Sequence, residues 1–487
     1  MRQIEKITEE RLRKLKRLKE KGVSCYPSKT KPFQKIKDVI SDFKKIKDKK
    51  IAMVGRIRNI RKHGGSTFLH FEDPTGHFQA YLKRDKIGEE LYQLFLENFD
   101  IGDFALFEGT LFITRKGEKT LEVDKFQILA KSLYPLPEKW HGLQEVEERY
   151  RKRYVDLLMN PEVKEKFILR SRIISEIRRF LEKEGFIEVE TPILQSMAGG
   201  AAARPFKTHH EALDIDFYLR IAPELYLKEL LVGGFGKVFE IGRIFRNEGI
   251  DTSHNPDFTS LELYWAYSNY EDLINFVEKM FEKLIDNLFG KRKIIYQGRE
   301  INFNPPFDRV GFYDFLTEKI GANPKRLGDE ELKKIAKRLK IPVENKSKAK
   351  ILDDIFKKEC KDDIIKPTFI LHQPIELTPL AKGLEENPTR AARLQLIIAG
   401  WEIANGFNEL NDPIEQRRRF ERELKERKKG DIEAHPFDEE YLRALEYGMP
   451  PAAGIGIGID RLVAVLTDSK TLREVILFPL MRPKDKN

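Results

Sequence analysis

Residues Val238–Tyr267 read VFEIGRIFRNEGIDTSHNPDFTSLELYWAY. Apolar and polar side chains alternate as in a strand up to Phe245, and alternate again from Phe258, which predicts an antiparallel hairpin. The connection between them is dense in Arg, Asn, Glu and His. A two-residue turn would join the strands at the lowest entropic cost, so a loop this long and polar is expected to hold something polyanionic. Arg246 and Glu248 stand at its start, and His254 and Asn255 at its far side. Arg presents a planar donor fork suited to a phosphate or a carboxylate. Glu248 can accept from an adenine amino group, and Phe258 offers a flat surface to a purine. Singly, each would be an ordinary surface residue; together on one loop they point to a nucleotide.

A second stretch, Gly454–Arg461 (GIGIGIDR), agrees with this reading. Gly454, Gly456 and Gly458 alternate with Ile455, Ile457 and Ile459, so a strand here buries isoleucines on one face and bares its backbone on the other. Bare backbone admits a flat ligand closely. Asp460 is expected to cap the next helix, with Arg461 in its first turn, where the macrodipole favours a phosphate. A dinucleotide-binding fold competes, but the third glycine of its fingerprint is missing. A third stretch, Trp401–Asp412 (WEIANGFNELND), places Asn405, Phe407 and Glu409 on one strand face. An amide, a ring and a carboxylate in a row form a slot for an alkyl chain with a cationic tip. Glu262 and Tyr264 on the hairpin's return strand add a carboxylate and a phenol. Buried carboxylates are costly unless a cation joins them, so the slot's ligand is expected to be positive. The alternative is an edge strand with solvated charges.

Around these stretches, composition sets the bounds. At 487 residues the chain is too long for one core and suggests two or three domains. No run of about 18 apolar residues occurs, so no membrane span is expected. The charged N-terminus lacks the apolar core of a secretory signal. Cys25 and Cys360 have no companions at metal-ligand spacing and suit free thiols in a reducing cytoplasm. Residues 1–50 hold 18 Lys and Arg against 7 Asp and Glu, a surplus as large as the whole chain's net charge of +10. Leu12, Leu15 and Leu18 give that segment an apolar helical side; its charge suits either solvent or a phosphate backbone.

Residues 51–130 alternate as five strands: Ile51–Ile57, Ser66–Glu72, Gly76–Leu82, Phe104–Thr114 and a run near Leu121–Leu129. Asp73, Pro74 and Gly76 suit a type I turn. Period-2 counting points Leu69, Phe71, Phe78, Ala80 and Leu82 inward, and Phe68, His70, Gln79 and Tyr81 outward. Aromatics beside Arg56, Arg58, Arg61 and Lys62 are what base stacking on a basic sheet requires, in an OB-type barrel. Equally, that face could be a second inner surface under the N-terminal helix. Further on, helical periodicity covers Pro161–Lys183, a strand Phe186–Thr191 ends at Pro192, and Lys325–Lys358 reads as an inserted helical piece with mostly solvated faces.

With these residues in place, the chain resembles the bacterial-type lysyl-tRNA synthetases of class II. The resemblance rests on Gly185–Pro192 (GFIEVETP), Phe239–Glu262 and Gly454–Arg461 as the three class motifs, on GGAAARPF from Gly199, RIAPELYLK from Arg220, and NGFNELNDP from Asn405. It implies an α+β fold: an N-terminal OB-type barrel, then an antiparallel-sheet catalytic domain with flanking helices. The implied boundaries are a basic helical extension at 1–50, an anticodon-binding barrel at 51–134, a linker at 135–155, and a catalytic domain at 156–487 with a helical insertion near 320–362. By resemblance, Gly200 and Glu224 hold the α-ammonium of lysine, and Arg246 its carboxylate and the α-phosphate of ATP. Glu262, Tyr264, Asn405, Phe407 and Glu409 line the side-chain pocket. Glu248, His254, Asn255, Phe258, Gly456 and Gly458 bind ATP, with Arg461 on the γ-phosphate. Arg61, Phe68, Gln79 and Glu118 match contacts to a UUU-type anticodon, and Pro192 a homodimer interface. The implied partners are tRNA(Lys), ATP, L-lysine, Mg2+ and a second copy of the chain.

One departure stands out. Where the family carries Thr-Asp/Glu-Arg-Phe-Glu, this chain reads Ala391-Ala392-Arg393-Leu394-Gln395. Glu402, one implied metal carboxylate, is present; Gln395 replaces the other and removes a charge from a hard-cation site. An impaired or non-catalytic tRNA-binding relative is therefore the alternative expectation.

Overall fold

Strand-like alternation over residues 50–130 closes into a barrel because its five strands each have one apolar face to bury. In the computed structural model, which describes residues 2–137, 145–344, 346–428 and 435–483, the chain divides into two compact units, Met1–Gln144 and Glu145–Asn487. The first begins with helices α1 (Arg2–Glu20) and α2 (Ile36–Ile46). The barrel comprises β1 (Lys50–His63), β2 (Ser66–Asp73), β3 (Gly76–Lys83), β4 (Phe104–Ile113) and β5 (Lys119–Ala130), in the closed order β1-β2-β3-β5-β4. Strand β3 runs parallel to β5, and the other pairs are antiparallel. Leu69, Phe71, Phe78, Ala80 and Leu82 are buried as their alternation requires. The turn after β2 is fixed by the Asp73 carboxylate, which accepts from the backbone N–H of Thr75 (2.6 Å) and Gly76 (3.0 Å).

Helix α1 buries a different stripe from the one expected. Leu18 is buried, but Leu12 is exposed and Arg11 takes the inward place. Arg11, Leu15 and Leu18 follow the i, i+4, i+7 spacing of one helix face. The buried guanidinium is satisfied by the carbonyl oxygens of Ser132 (3.0 Å), Tyr134 (3.1 Å) and Ile101 (3.0 Å), which removes the cost of burying it. Leu18, Ile36, Val39 and Phe43 join the core of the barrel.

The second unit is built on an eight-stranded sheet. Its strands are β6 (Ile187–Glu188), β7 (Lys237–Phe245), β8 (Asp257–Ala266), β9 (Asp308–Gly311), β10 (Thr368–Leu371), β11 (Arg393–Ile398), β12 (Trp401–Asn408) and β13 (Ala452–Gly458), in the order β9-β10-β11-β12-β13-β8-β7-β6. Only the outer pairs β6–β7 and β9–β10 are parallel. Around it lie α3 (Pro161–Lys183), α4 (Glu224–Val232), α5 (Tyr270–Phe289), α6 (Glu439–Glu446) and α7 (Ile459–Leu466). One face of the sheet packs Leu261, Leu263, Ile455 and Ile457 against Ile173, Ile177, Val277 and Phe281 from α3 and α5. The isoleucines that alternate with glycine are thus the buried side of β13.

The expected strand Phe186–Thr191 needs correction. Strand β6 is only two residues long, because beyond it the Glu240 carboxylate takes over from the ladder, accepting from the backbone N–H (3.2 Å) and hydroxyl (2.7 Å) of Thr191. Over Lys325–Lys358 most residues are exposed or half-buried, as read, while Leu332, Ile351, Ile355 and Phe356 on the inner side of Asp329–Arg338 and Lys348–Glu359 pack with Leu316, Ile370 and Ile397 in one core. Among the described residues no helix is long and apolar enough to cross a membrane.

Candidate active site

The three central strands put glycine between functional side chains. Gly456 lies between Glu262 of β8 and Asn405 of β12; one pleat along, Gly454 lies between Tyr264 and Phe407. Bare backbone in the middle strand leaves room that a side chain would fill. The result is a cavity of about 340 Å³ above β8, β12 and β13. Glu224, Glu262, Tyr264, Asn405 and Phe407 line one part of it. Gly200 closes this end with φ +86°, and a Cβ there would come within 2.9 Å of the Glu224 Cβ, so the position needs glycine on both counts.

Glu409, expected to line the slot, is not part of the cavity's lining; it lies over Gly454, where its Oε1 and the Tyr264 ring occupy the space a Cβ would take. The Tyr264 hydroxyl donates to Glu262 Oε2 (3.3 Å). Both carboxylates are almost fully buried. Burial, with Glu224 adding to it and Arg246 opposing, pushes the Glu262 carboxyl up to about 8. Burial also raises Glu409, while Lys228 pulls it back. Sequence reasoning had a cation arriving only with the ligand, yet a resident one is already present: the Lys228 ammonium lies 2.5 Å from both Glu224 Oε1 and Glu409 Oε2. A Gly454→Ala substitution drives a methyl into Glu409 and Tyr264. It is expected to lower stability by about 1–3 kcal/mol, read from thermal melting.

The hairpin loop lines another part of the cavity with Arg246, Glu248, His254, Asn255 and Phe258. Its ends are tied by Arg246 N–H donating to the Pro256 carbonyl (2.8 Å). The Arg246 guanidinium sits 5.3 Å from the Phe258 ring centroid, and Asp251 holds His254 through Nδ1 (2.9 Å). Gly458, Glu402 and Arg461 complete the lining; Arg461 donates to the Glu402 carbonyl (3.2 Å). Asp460 does not cap α7, whose N-cap is Gly458. Lying two residues inside the helix, it instead accepts from Thr259 N–H (3.0 Å) and pairs with Arg170 (2.6 Å), fastening α7 to β8 and α3.

Gln395 does not line the cavity; its amide oxygen accepts from Gln373 (3.5 Å). Three lining or adjoining residues escaped sequence reasoning: Lys228, Arg393 and His435. Arg393 donates to Asn405 Oδ1 (2.8 Å) and Thr378 Oγ1 (2.8 Å). His435 is buried against the same charged group and pushed down to about 4 by burial and then by Lys228, so its ring is neutral. A signal for Lys228 existed: Glu224 and Lys228 stand four residues apart on one helix.

In the first unit, the residues expected on the outer barrel face also meet. Arg61 is paired across the strands with Phe68, whose ring stacks on Tyr81 at 4.5 Å. Gln79 donates to Glu118 (2.7 Å), and Glu118 also meets the His70 ring (2.8 Å). Gln79 is more enclosed than alternation suggests, because Thr120 donates to its carbonyl (2.7 Å).

Comparison with known proteins fits both units. Residues 51–129 match the OB-fold nucleic acid binding domain family. The chain is 49% identical over 485 residues to the lysine–tRNA ligase of Carboxydothermus hydrogenoformans, covering 99% of each chain. It is 52% identical to that of Aquifex aeolicus, over 90% of this chain and 74% of the relative, and 48% identical to that of Moorella thermoacetica, over 98% of each. Residues 145–482 match the family of class II tRNA synthetases (D, K and N), and with the glycine-floored cavity at their centre the chain belongs to that family.

Proposed function

We infer that the chain is a lysine–tRNA ligase: it activates L-lysine with ATP and transfers it to the 3′ end of tRNA(Lys), forming AMP and diphosphate. The observation that carries the choice of amino acid is the pair of buried carboxyls, Glu224 and Glu262, lining one end of a cavity whose other end is lined by Arg246 and Arg461, with Glu409 buried next to them over Gly454. A pocket for an acidic or neutral side chain has no use for such a group.

In the proposed chemistry the lysine carboxylate attacks the α-phosphorus of ATP in line, giving lysyl-adenylate and diphosphate. The terminal adenosine hydroxyl of tRNA then attacks the activated carbonyl. The first step needs no general base, since the nucleophile is already ionised. Arg246 orients the carboxylate and the α-phosphate, Arg461 takes the γ-phosphate, and Phe258 supports the purine; positioning and charge stabilisation supply most of the rate. Glu224 and Gly200 hold the α-ammonium, and Glu262, Tyr264, Asn405, Phe407 and Glu409 the side chain. Glu248, His254, Asn255, Gly456 and Gly458 complete the ATP site. The Glu402 carboxylate, which lines the cavity near Arg461, suits Mg2+, an ion bound through one or two carboxylates plus substrate phosphates. Glu402 would hold it, with Gln395 a doubtful second donor; when bound it would neutralise phosphate charge.

Arg61, Phe68, Gln79 and Glu118 are the proposed anticodon contacts, in a barrel domain at 51–134 preceded by the extension at 1–50. The proposed linker at 135–155, of which 138–144 lie outside the described residues, leads to the catalytic domain at 156–487 with its insertion near 320–362. The last part of that linker, from Glu145, is largely helical and belongs to the second unit. A second copy of the chain is the proposed partner of the edge after β6, where Ile187, Pro192, Ile193 and Leu194 are exposed. The buried free thiols Cys25 and Cys360 suit a cytoplasmic location.

Lysine-dependent ATP–diphosphate exchange followed by aminoacylation of tRNA(Lys) tests the reading; absence of exchange with tRNA still bound would favour the non-catalytic alternative. Chelation with EDTA is expected to abolish exchange and Mg2+ to restore it. Glu402→Gln is expected to raise the Mg2+ requirement more than about tenfold, whereas Gln395→Glu shifts it less than about two-fold.

A further inference from the structure

The carboxylate end of the cavity is built around a side chain that the proposed chemistry does not use. Lys228 has no solvent exposure, and it reaches Glu224 from one side and Glu409 from the other. The Phe407 ring centroid lies 5.4 Å from its ammonium. The groups facing it from each neighbouring element are Glu224 on its own helix α4, Glu409 after β12, Tyr441 on α6 and His435 before α6. Glu262 and Tyr264 of β8 face the same carboxylates. Both phenols are raised, mainly by burial, and His435 is held neutral, so Lys228 is the cation that faces Glu224 and Glu409. Glu409 Oε1 has no hydrogen-bond partner.

The geometry gives the Lys228 ammonium two carboxyl partners at once, Glu224 Oε1 and Glu409 Oε2, each at 2.5 Å. We propose that Lys228 is a positioning residue of the lysine pocket: its buried ammonium fixes Glu224 and Glu409 in place and supplies both with a counter-charge until the ammonium groups of the substrate arrive. The proposal rests on the lysine reading and deepens it.

Without Lys228, Glu224 and Glu409 would be buried with no counter-ion, and such carboxyls take up protons instead of staying ionised. A protonated carboxyl must lose its proton before it can accept an ammonium, and each unit by which its pKa exceeds the ambient pH weakens binding about tenfold. The defect should therefore be pH-dependent. Burial already raises Glu224 and Glu409 while Lys228 draws them down, so removing Lys228 raises them further and an alkaline medium recovers binding.

The test is lysine-dependent ATP–diphosphate exchange by the full chain between pH 6.5 and 9, for wild type, Lys228→Met and Lys228→Arg. Lys228→Met is expected to raise the lysine KM about 30-fold at pH 7, with the gap narrowing about tenfold by pH 9 and the ATP KM within about two-fold. Lys228→Arg, which keeps the charge, is expected to retain the wild-type pH midpoint even where its KM is higher. A Lys228→Met enzyme with a wild-type lysine KM, or with a rise equal at every pH, overturns the proposal. Should Lys228→Met fail to fold by thermal melting, Lys228→Arg decides, and an alkaline shift of its midpoint counts against the assignment. No lysine-dependent exchange by the wild type would instead sink the lysine reading itself.

Discussion

Glu409→Gln is expected to raise the lysine KM by about two to three orders of magnitude while the ATP KM moves less than about two-fold. The residue is 1% exposed; one oxygen is paired with Lys228, and the other lies over Gly454 beside the Tyr264 ring, with no hydrogen-bond partner among the described residues. An amide of the same shape keeps the packing but cannot offer a charge to an incoming ammonium. Breaking a buried charge pair costs about 3–5 kcal/mol, largely because the remaining charge is left uncompensated. Here Lys228 keeps Glu224 as a partner, so the charge left uncompensated is the substrate's and the cost falls on lysine binding. The nucleotide side of the cavity, around Arg246, Phe258 and Arg461, does not touch Glu409. Initial rates of exchange at varied lysine and varied ATP give both constants, and equal rises in the two would refute this division of the cavity.

Arg246→Ala is expected to lower kcat for exchange about a thousandfold, equivalent to about 4 kcal/mol of transition-state stabilisation. Arg246 stands where the two halves of the cavity meet: it faces Glu262 on one side and Glu248, Glu402 and Arg461 on the other. Its backbone is pinned by the Pro256 carbonyl, while its guanidinium lies over Phe258 and, among the described residues, donates one hydrogen bond, a long one of 3.4 Å to the Ile221 carbonyl. The donor fork is therefore left for substrate oxygens. Arg246→Lys should restore less than about a tenth of the loss, because an ammonium cannot reproduce a planar bidentate contact. The melting temperature of the Ala variant should stay within about 2 °C of wild type. A kcat loss that tracks a fall in melting temperature would show Arg246 to be structural.

Much of the fold was legible because its patterns are short-range. The barrel strands, the hairpin and the buried isoleucines of β13 follow from period-2 alternation alone, which is fixed by backbone geometry. The site was legible where several chemical groups crowd one stretch, as in the loop from Arg246 and in Asn405–Glu409. What escaped was decided by packing between distant segments. Lys228 looks like half of an ordinary i, i+4 helix pair with Glu224; only the approach of Glu409, far along the chain, turns it into a buried bridge. Arg11 was hidden for the same reason, since its carbonyl partners lie near residues 101 and 132–134. Asp460 carries a capping residue's chemistry at a position where the helix has already begun. Gln395 shows the converse: a family metal position whose side chain here turns to Gln373.

Strand β13 is hydrogen-bonded along both edges, to β8 and to β12, and its underside is locked by isoleucine. The cavity floor thus belongs to the part of the molecule that opens last, with no independent freedom to adapt. Adjustment on substrate arrival has to be made by the rim, above all the hairpin loop, whose backbone is tied at its base and by the Asp251–His254 turn. Division of labour between an unyielding base and a yielding edge lets the same chain hold a small amino acid tightly and still release a much larger product.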